Sequence, residues 1–503
     1  MPWSDQQEAI FAWFGGAREK ENLVVRARAG TGKTTTIIEA LKHINWTIGA
    51  GERGLVCAYN KRIAEELTIK LKYVQKIEAK TLHSLGYALL RSTWGMGYKM
   101  DGKIERERVE KAIPLVGRRP YVWECITQTV KLVQFAKSAD PFIDTDGLED
   151  LAGRRGLDHA DPTGEWDARW MARVATLALQ ASTVPDPAFR ISFDDMIFVP
   201  AALAMGQPLY DWIIVDEAQD MSAAQLIVAK SALRSGGHMV IVGDDRQAIY
   251  GFRGADTGCI DRLKRELDAE EMGLNTTYRC PQGVVAVARK LVSDFRCPEG
   301  APEGHVLKGT RADIMEKARP GDAILSRTNA PLVPLCLAFI RQGMPAKIEG
   351  RDIGKMLVER AKSKSLKSAT VEEFTLKLTK WSNKATSRAL ASGKAVEEKL
   401  RNIEDVKETL EAIAENCETM DEFYERCTNL FADVDQDGTK QFVILSTVHK
   451  AKGLEWDRVF LLQSTLYCNG NRQDDLEEEN IHYVAVTRSK SALMMIGAAE
   501  DDD

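Results

Sequence analysis

The chain has little that would tie it to a secreted, membrane-spanning or strongly basic protein. Its nine cysteines are an odd, scattered set with no Cys-x-x-Cys pair. That argues against a disulfide framework and a zinc site, and for reduced thiols in a cytoplasm-like compartment. No apolar run reaches the roughly 18 residues of a membrane span. The start, Met1-Pro2-Trp3-Ser4-Asp5, lacks the basic and apolar regions of a signal peptide. Positive charge is not in excess: 68 Lys and Arg stand against 74 Asp and Glu, a net charge of −6. This disfavours a uniformly basic nucleic-acid binder but is compatible with a local basic groove. The tail Glu500-Asp501-Asp502-Asp503 supplies four of the negative charges and reads as a frayed end.

What is present is globular. An apolar fraction of 44% supports sizeable cores. At roughly 100–200 residues per domain, 503 residues predicts about three or four domains.

The most informative stretch runs from Leu23 to Ile38. Leu23-Val24-Val25 begins a buried strand, Ala27-Arg28-Ala29-Gly30-Thr31-Gly32 is a tight loop, and Lys33-Thr34-Thr35-Thr36 opens a helix. Strand, glycine loop and helix N-terminus in that order form a phosphate cradle of backbone N–H groups. Lys33 would reach the β- and γ-phosphates and Thr34 would hold Mg2+. The strict pattern wants Gly where Ala27 stands, and Ala serves there if its φ is negative. The plainer alternative is an ordinary strand–turn–helix.

Around this loop the chain alternates strands and helices, the pattern of a parallel α/β sheet. Residues 4–14 read as a capped amphipathic helix. Gln6 on it could read the edge of adenine through its amide, or be a surface glutamine. Leu55-Val56-Cys57-Ala58 leads into Tyr59-Asn60, and Ala79-Lys80-Thr81 into His83. Ligands bind at the carboxyl ends of such strands, so Tyr59, Asn60, Thr81 and His83 lie where a second ligand could sit.

Residues 87–190 change to helical periodicity, a helical insertion with Trp123, Trp166 and Trp170 as core. The sheet is expected to resume at Ile191–Ile197. Trp212-Ile213-Ile214-Val215 then runs into Asp216-Glu217-Ala218-Gln219-Asp220, a buried strand presenting acids at its tip. Asp216 would hold Mg2+ beside Thr34, through water, and Glu217 would orient and activate the attacking water. Such carboxylates can instead cap a helix. Met239-Val240-Ile241-Val242 is followed by Gly243-Asp244-Asp245-Arg246-Gln247. Gln247 is placed to sense the γ-phosphate. Phe252 and Arg253, flanked by glycines, suit base stacking beside a phosphate contact.

A second α/β unit begins near residue 271. It holds Leu274-Asn275-Thr276-Thr277-Tyr278-Arg279 and Ala323-Ile324-Leu325 entering Ser326-Arg327-Thr328-Asn329. Residues 351–440 are a second, largely helical insertion, markedly basic between Lys355 and Lys394. That face is either a solvated helix surface or a nucleic-acid surface. Asp433-Val434-Asp435-Gln436-Asp437-Gly438 mimics the start of a calcium loop, but Ile444 stands at the twelfth position where Glu is needed. The stretch reads as a turn. The unit resumes at Phe442–Leu445, entering Thr447, His449 and Glu455, and ends with Tyr483-Val484-Ala485-Val486-Thr487-Arg488.

These ordered motifs, from Gln6 to Lys490, resemble those of superfamily 1 DNA helicases of the UvrD/Rep group. The resemblance implies an α/β fold of two RecA-like parallel-sheet domains, each carrying a largely helical insertion. The ATP-binding domain would be residues 1–86 and 191–270, with insertion 87–190. The second RecA-like domain would be 271–350 and 441–503, with insertion 351–440. The compact size is similar to that of phage-encoded or recombination-associated members. The resemblance implies that Gln6 reads adenine, and that Lys33, Thr34, Asp216 and Glu217 form the hydrolytic core. It implies that Gln247 couples the γ-phosphate to DNA. Tyr278 would stack on the adenine base, Glu455 would contact the ribose, and Arg279 and Arg488 would be arginine fingers. Tyr59, Asn60, Thr81, His83, Phe252, Arg327, Asn329, Thr447 and His449 fall on motifs that contact single-stranded DNA in relatives. Thr277 stands where relatives commonly have Asn.

The implied activity is ATP-driven, Mg2+-dependent translocation on single-stranded DNA with duplex unwinding, moving 3′→5′. The implied partners are single-stranded DNA and single-strand/duplex junctions, with single-strand-binding or recombination proteins as further partners, in the cytoplasm of a bacterial or phage-infected cell. Two rivals stand beside it: a translocase that strips proteins without unwinding, and an ATP-switched recruitment protein. No nuclease constellation is expected after the last motif.

Overall fold

The computed structural model describes residues 2–46, 52–58, 60–74, 76–95, 97–117, 123–155, 157, 166–249, 258–391, 396–415, 417–432, 441–466 and 472–497. Tyr59, Phe252, Arg253 and the calcium-like stretch at 433–438 lie outside these residues. The chain divides into two compact units. One is Met1–Arg28 with Gly32–Leu274, the other Ala29–Thr31 with Asn275–Asp503.

In the first unit the strands are β1 (Leu23–Ala27), β2 (Gly54–Ala58), β3 (Ile77–Thr81), β4 (Lys99–Met100), β5 (Arg190–Ile191), β6 (Tyr210–Val215), β7 (Leu233–Gly243) and β8 (Glu270–Leu274). Six make one sheet in the order β3-β2-β6-β7-β1-β8, with every neighbouring pair parallel. Alternate residues of its strands feed two cores. Val24, Leu55, Ile213 and Ile241 pack on one side, and Val25, Val56, Ile214 and Val242 on the other. Burial on both faces is why these strands read as continuous apolar runs.

The register fixes the functional edge. Arg26 lies beside Gly243, Cys57 beside Val215, and Ala58 beside Thr81. The polar segments that follow β1, β2, β3, β6 and β7 therefore leave the sheet at the same end, where parallel α/β sheets bind ligands.

Helices Leu82–Trp94, Ile104–Val116, Trp123–Ala139, Thr145–Arg154 and Ala168–Ser182 fill the first insertion region. Val109, Leu132 and Val174 of these helices belong to the same apolar cluster as Val24 and Leu55 of the sheet. The second insertion repeats this arrangement. Shared cores explain why the chain forms two compact units where its length predicts more. Trp166 is buried as expected, whereas Trp170 is half-buried and donates to the Gly117 carbonyl at 3.2 Å.

Two expectations need correction. Residues 191–197 do not resume the main sheet. Arg190–Ile191 pairs only with β4, and a helix, Asp195–Ala202, starts at once. The cause is Asp195, fully buried and drawing in Arg108 at 2.7 Å and Lys137 at 2.5 Å. Its carboxylate also accepts from the Ser192 N–H at 2.8 Å, which turns the chain out of the extended form. The boundary expected at 270/271 likewise cuts β8, which pairs with β1 from Glu270 to Leu274 and so belongs wholly to the first unit.

The second unit contains β9 (His305–Gly309), β10 (Ala323–Ser326), β11 (Ala346–Glu349), β12 (Phe431–Ala432), β13 (Val443–Thr447), β14 (Trp456–Leu462) and β15 (Ser489–Ile496). They form one sheet in the order β12-β11-β13-β10-β14-β15-β9, again with parallel pairs. Between β11 and β12 lie helices Arg351–Ala361, Val371–Ala391, Val396–Ala414 and Met420–Leu430. Leu378, Leu410 and Phe423 share a core with Ile324 and Leu445 of the sheet. Among the described residues no helix is long and apolar enough to cross a membrane.

Candidate nucleotide and nucleic-acid sites

The loop after β1 owes its shape to two glycines. Gly30 has φ +70° and Gly32 has φ +77°, left-handed values that L side chains rarely adopt. Gly32 is the N-cap of helix Lys33–Ala40. Ala27 is the last residue of β1, is fully buried, and is not among the positive-φ residues. Its side chain therefore causes no backbone strain. Arg28, Ala29 and Thr31 are buried, and Thr35 is exposed.

At the tip of β6 the carboxylates face this helix. Thr34 Oγ1 donates to Asp216 Oδ2 at 3.3 Å, and Lys33 Nζ lies 3.0 Å from Glu217 Oε1. Burial disfavours the Lys33 charge, but Glu217, Asp216 and Asp244 outweigh it and raise its pKa. Burial, and then repulsion from Glu217, pushes Asp216 up to about 6, against the pull of Lys33. A hydroxyl beside a partly buried carboxylate with unmet demand for positive charge is a donor set suited to a hard divalent cation completed by phosphate oxygens and water. Thr34 and Asp216 are the residues that would hold it.

Glu217 itself sits at φ 53°, ψ 40°, a left-handed conformation uncommon for a non-glycine residue and frequent at functional sites. Its second oxygen accepts from Gln219 Nε2 at 2.6 Å. Past β7, Gln247 Nε2 donates to Asp244 Oδ2 at 2.8 Å, and Arg28 donates to Asp244 Oδ1 at 3.0 Å. Lys33, Thr34, Asp216, Glu217 and Gln247 are thus brought to one strand-end constellation.

The helix Asp5–Phe14 carries Gln6 and Gln7. Gln7 is buried, closes a capping box with Ser4, and donates to Thr36 at 2.8 Å. Gln6 is half-buried, with its amide nitrogen 4.0 Å from where a side chain on Gly273 would begin.

The strand-end residues of β2 and β3 act locally as helix caps. The Asn60 side chain accepts from Ile63 N at 2.9 Å, and Thr81 Oγ1 accepts from Ser84 N at 3.1 Å. His83 stacks on Phe193, centroids 4.2 Å apart and planes 22° from parallel. Burial pushes His83 down to about 4. Phe193 is 57% exposed despite its size. Both line a cavity of about 560 Å³ that also reaches Thr81, Asp194, Asp216 and Glu217. Asn60, Thr81 and His83 therefore share one hollow with Asp216 and Glu217.

The second unit gathers its candidates in two places. Arg279 Nε lies 2.6 Å from Glu455 Oε2, and its Nη1 donates to the Thr487 carbonyl at 3.3 Å. Arg488 is 1% exposed and donates to the Val484 and Leu454 carbonyls at 2.9 and 3.2 Å. Tyr278, next to Arg279 in sequence, is 42% exposed. Elsewhere, Arg327 is not a solvent-facing cation. Glu478 accepts from its Nε and Nη2 at 3.1 and 2.9 Å, and from Arg401 at 2.9 Å. Asp405 accepts from Asn329 Nδ2 at 3.3 Å and from Ala330 N at 2.7 Å. Thr447 is buried and His449 half-buried at the end of β13.

Sequence reasoning passed over Gln219, Asp244 and Phe193. The first two lie inside the acidic strand-end motifs and could have been found as polar residues next to the expected catalytic ones. Phe193 carried no signal, because its apolar character fits the strand expected there.

The fold and this constellation define a class. The chain belongs to the UvrD-like helicase family, in the UvrD/Rep group of superfamily 1. The UvrD/REP helicase N-terminal domain matches residues 4–139, and the UvrD-like helicase C-terminal domain matches residues 124–500. Among similar proteins, the ATP-dependent DNA helicase UvrD2 of Mycobacterium tuberculosis is 25% identical over 571 residues, covering 97% of this chain and 77% of the relative. The ATP-dependent DNA helicase PcrA of Staphylococcus aureus is 28% identical over 212 residues, covering 35% of this chain and 28% of the relative.

Proposed function

We propose that the chain is a cytoplasmic ATP-dependent DNA helicase that moves 3′→5′ along single-stranded DNA and hydrolyses ATP with Mg2+. The observation that carries this reading is the convergence of Lys33, Thr34, Asp216 and Glu217 at one end of the first sheet. The family match supports DNA as the track.

In this reading ATP competes with Glu217 for the Lys33 ammonium. When ATP enters, Lys33 exchanges the carboxylate for β- and γ-phosphate oxygens. Glu217 is then released to orient water for attack. The cation held by Thr34 and Asp216 would neutralise phosphate charge. Gln6 and Tyr278 take the adenine, and Glu455 the ribose. Arg279 and Arg488 supply further positive charge to the transferring phosphoryl group, a contribution of roughly 10³–10⁵ in rate for such fingers. Asn60, Thr81 and His83 on one unit and Arg327, Asn329, Thr447 and His449 on the other grip the strand, with residues 87–190 and 351–440 as accessory insertions.

The test is ATP-dependent unwinding of 3′-tailed, 5′-tailed and blunt duplexes. The reading expects unwinding of the 3′-tailed substrate. A requirement for a 5′ tail would reverse the polarity. ATP-driven displacement of proteins from single strands with no duplex separation would replace the helicase by a stripping translocase.

A further inference from the structure

Gln219 has no part in the mechanism above, yet its side chain is fully buried between two elements of it. Its Nε2 donates to Glu217 Oε2 at 2.6 Å, while its Oε1 accepts from the Asp244 backbone N–H at 3.1 Å. The amide orientation is forced, because an ionised carboxylate only accepts and a backbone N–H only donates. The connection continues. Asp244 is fully buried and its carboxylate takes Gln247 Nε2 and Arg28 Nη1. A chain of hydrogen bonds thus runs from Glu217 at the end of β6 through Gln219 to Asp244 and Gln247 beyond β7.

The fold makes room for this residue. A side chain at Gly243 would begin 2.8 Å from Gln219 Oε1 and 2.9 Å from Ile260 Cδ1, closer than real contacts allow, and a tight 3.1 Å from Gln219 N. Gly243 has no positive φ to explain it. The Gln219 amide passes across this position, and Ile260 closes it from beside.

We infer that Gln219 is the positioning residue that aims Glu217 and ties it to the Asp244–Gln247 segment. This rests on the reading of Glu217 as the group that orients the attacking water. When Lys33 leaves Glu217 for phosphate, Gln219 is the contact that keeps the carboxylate in place. Gln247 and Glu217 are then set as one unit. An error of about 1 Å in such placement can cost about 100-fold in rate.

The test uses the full chain with saturating single-stranded DNA, and compares Gln219→Leu, Gly243→Ala and Glu217→Gln with wild type. Leucine removes both the donor and the acceptor at similar volume. Alanine at 243 crowds the amide, and Ile260 with it, while leaving the amide chemically intact. Both variants are expected to lower kcat by about 10- to 100-fold, with KM for ATP and the affinity for a fluorescent ATP analogue within about twofold of wild type. A purely structural role would instead move KM, affinity and melting temperature together, and that outcome overturns the inference. If Gln219→Leu fails to fold, Gly243→Ala decides alone. Wild-type kcat in both, with Glu217→Gln inactive, overturns the inference and leaves the role of Glu217 standing. Near-normal turnover in Glu217→Gln overturns the reading of Glu217 itself.

Discussion

Lys33 Nζ and Glu217 Oε1 lie 3.0 Å apart although 184 residues separate them in the chain. The parallel register that sets β1 beside β7, and β7 beside β6, brings them together. The Lys33 ammonium, largely enclosed, is held charged by Glu217, Asp216 and Asp244 against the cost of its burial.

Two groups in the cavity beside Glu217 titrate with opposite sign. Burial first, with Glu105 and Asp195 adding repulsion against the pull of Lys137, raises Asp194 to about 6. Burial lowers His83 to about 4. Asp194 binds its proton more tightly in the folded state, so its contribution to stability grows as pH falls from about 6 toward 4. His83 binds its proton less tightly when folded, so its contribution is lost as pH falls from about 6.5 toward 4. The two largely cancel in wild type. Asp194→Asn should make stability fall more steeply below pH 6, and His83→Asn less steeply, each by on the order of 2 kcal/mol by pH 4. Urea denaturation at pH 7, 6, 5 and 4 measures this. Parallel profiles for all three proteins would refute it.

Lys137 is fully buried and bonds to Glu105 and Asp195. Arg108 joins the same cluster. Removing one member leaves unpaired buried charge. Lys137→Met should cost about 3–5 kcal/mol in unfolding free energy, read from urea denaturation at pH 7. A loss under about 1 kcal/mol would mean the cluster is neutralised or hydrated.

Much of this architecture is legible in the chain. The apolar runs ending in Ala27, Ala58, Val215 and Gly243 read as parallel strands because they are buried on both faces. Helical insertion regions read as helices because their apolar stripes repeat with helical period. What stayed hidden depends on partners distant in sequence. Arg327 reads as a strand-end cation, but its charge is met by Glu478, 151 residues away. Ile191–Ile197 alternates like a strand, and only the buried pairing of Asp195 with Lys137 makes it turn into a helix. Of the two adjacent glutamines, the pattern does not reveal that Gln7 is the buried one, pinned to Thr36.

The two arginines of the second unit should separate on substitution. Arg279 pairs with a partly exposed Glu455, so Arg279→Ala should leave the melting temperature nearly unchanged while lowering ATP turnover by about 10³-fold or more. Arg488 is enclosed by backbone carbonyls, so Arg488→Ala should also cost about 1–3 kcal/mol of stability. Melting curves and steady-state ATPase on the same preparations check both. Equal stability loss in the two variants would contradict the difference in their surroundings.

The most direct measurement is steady-state ATP hydrolysis by Glu217→Gln with saturating single-stranded DNA, alongside ATP and DNA binding. The account predicts both bindings within about twofold of wild type and turnover lowered by about 100-fold or more. Turnover close to wild type with binding intact would contradict it.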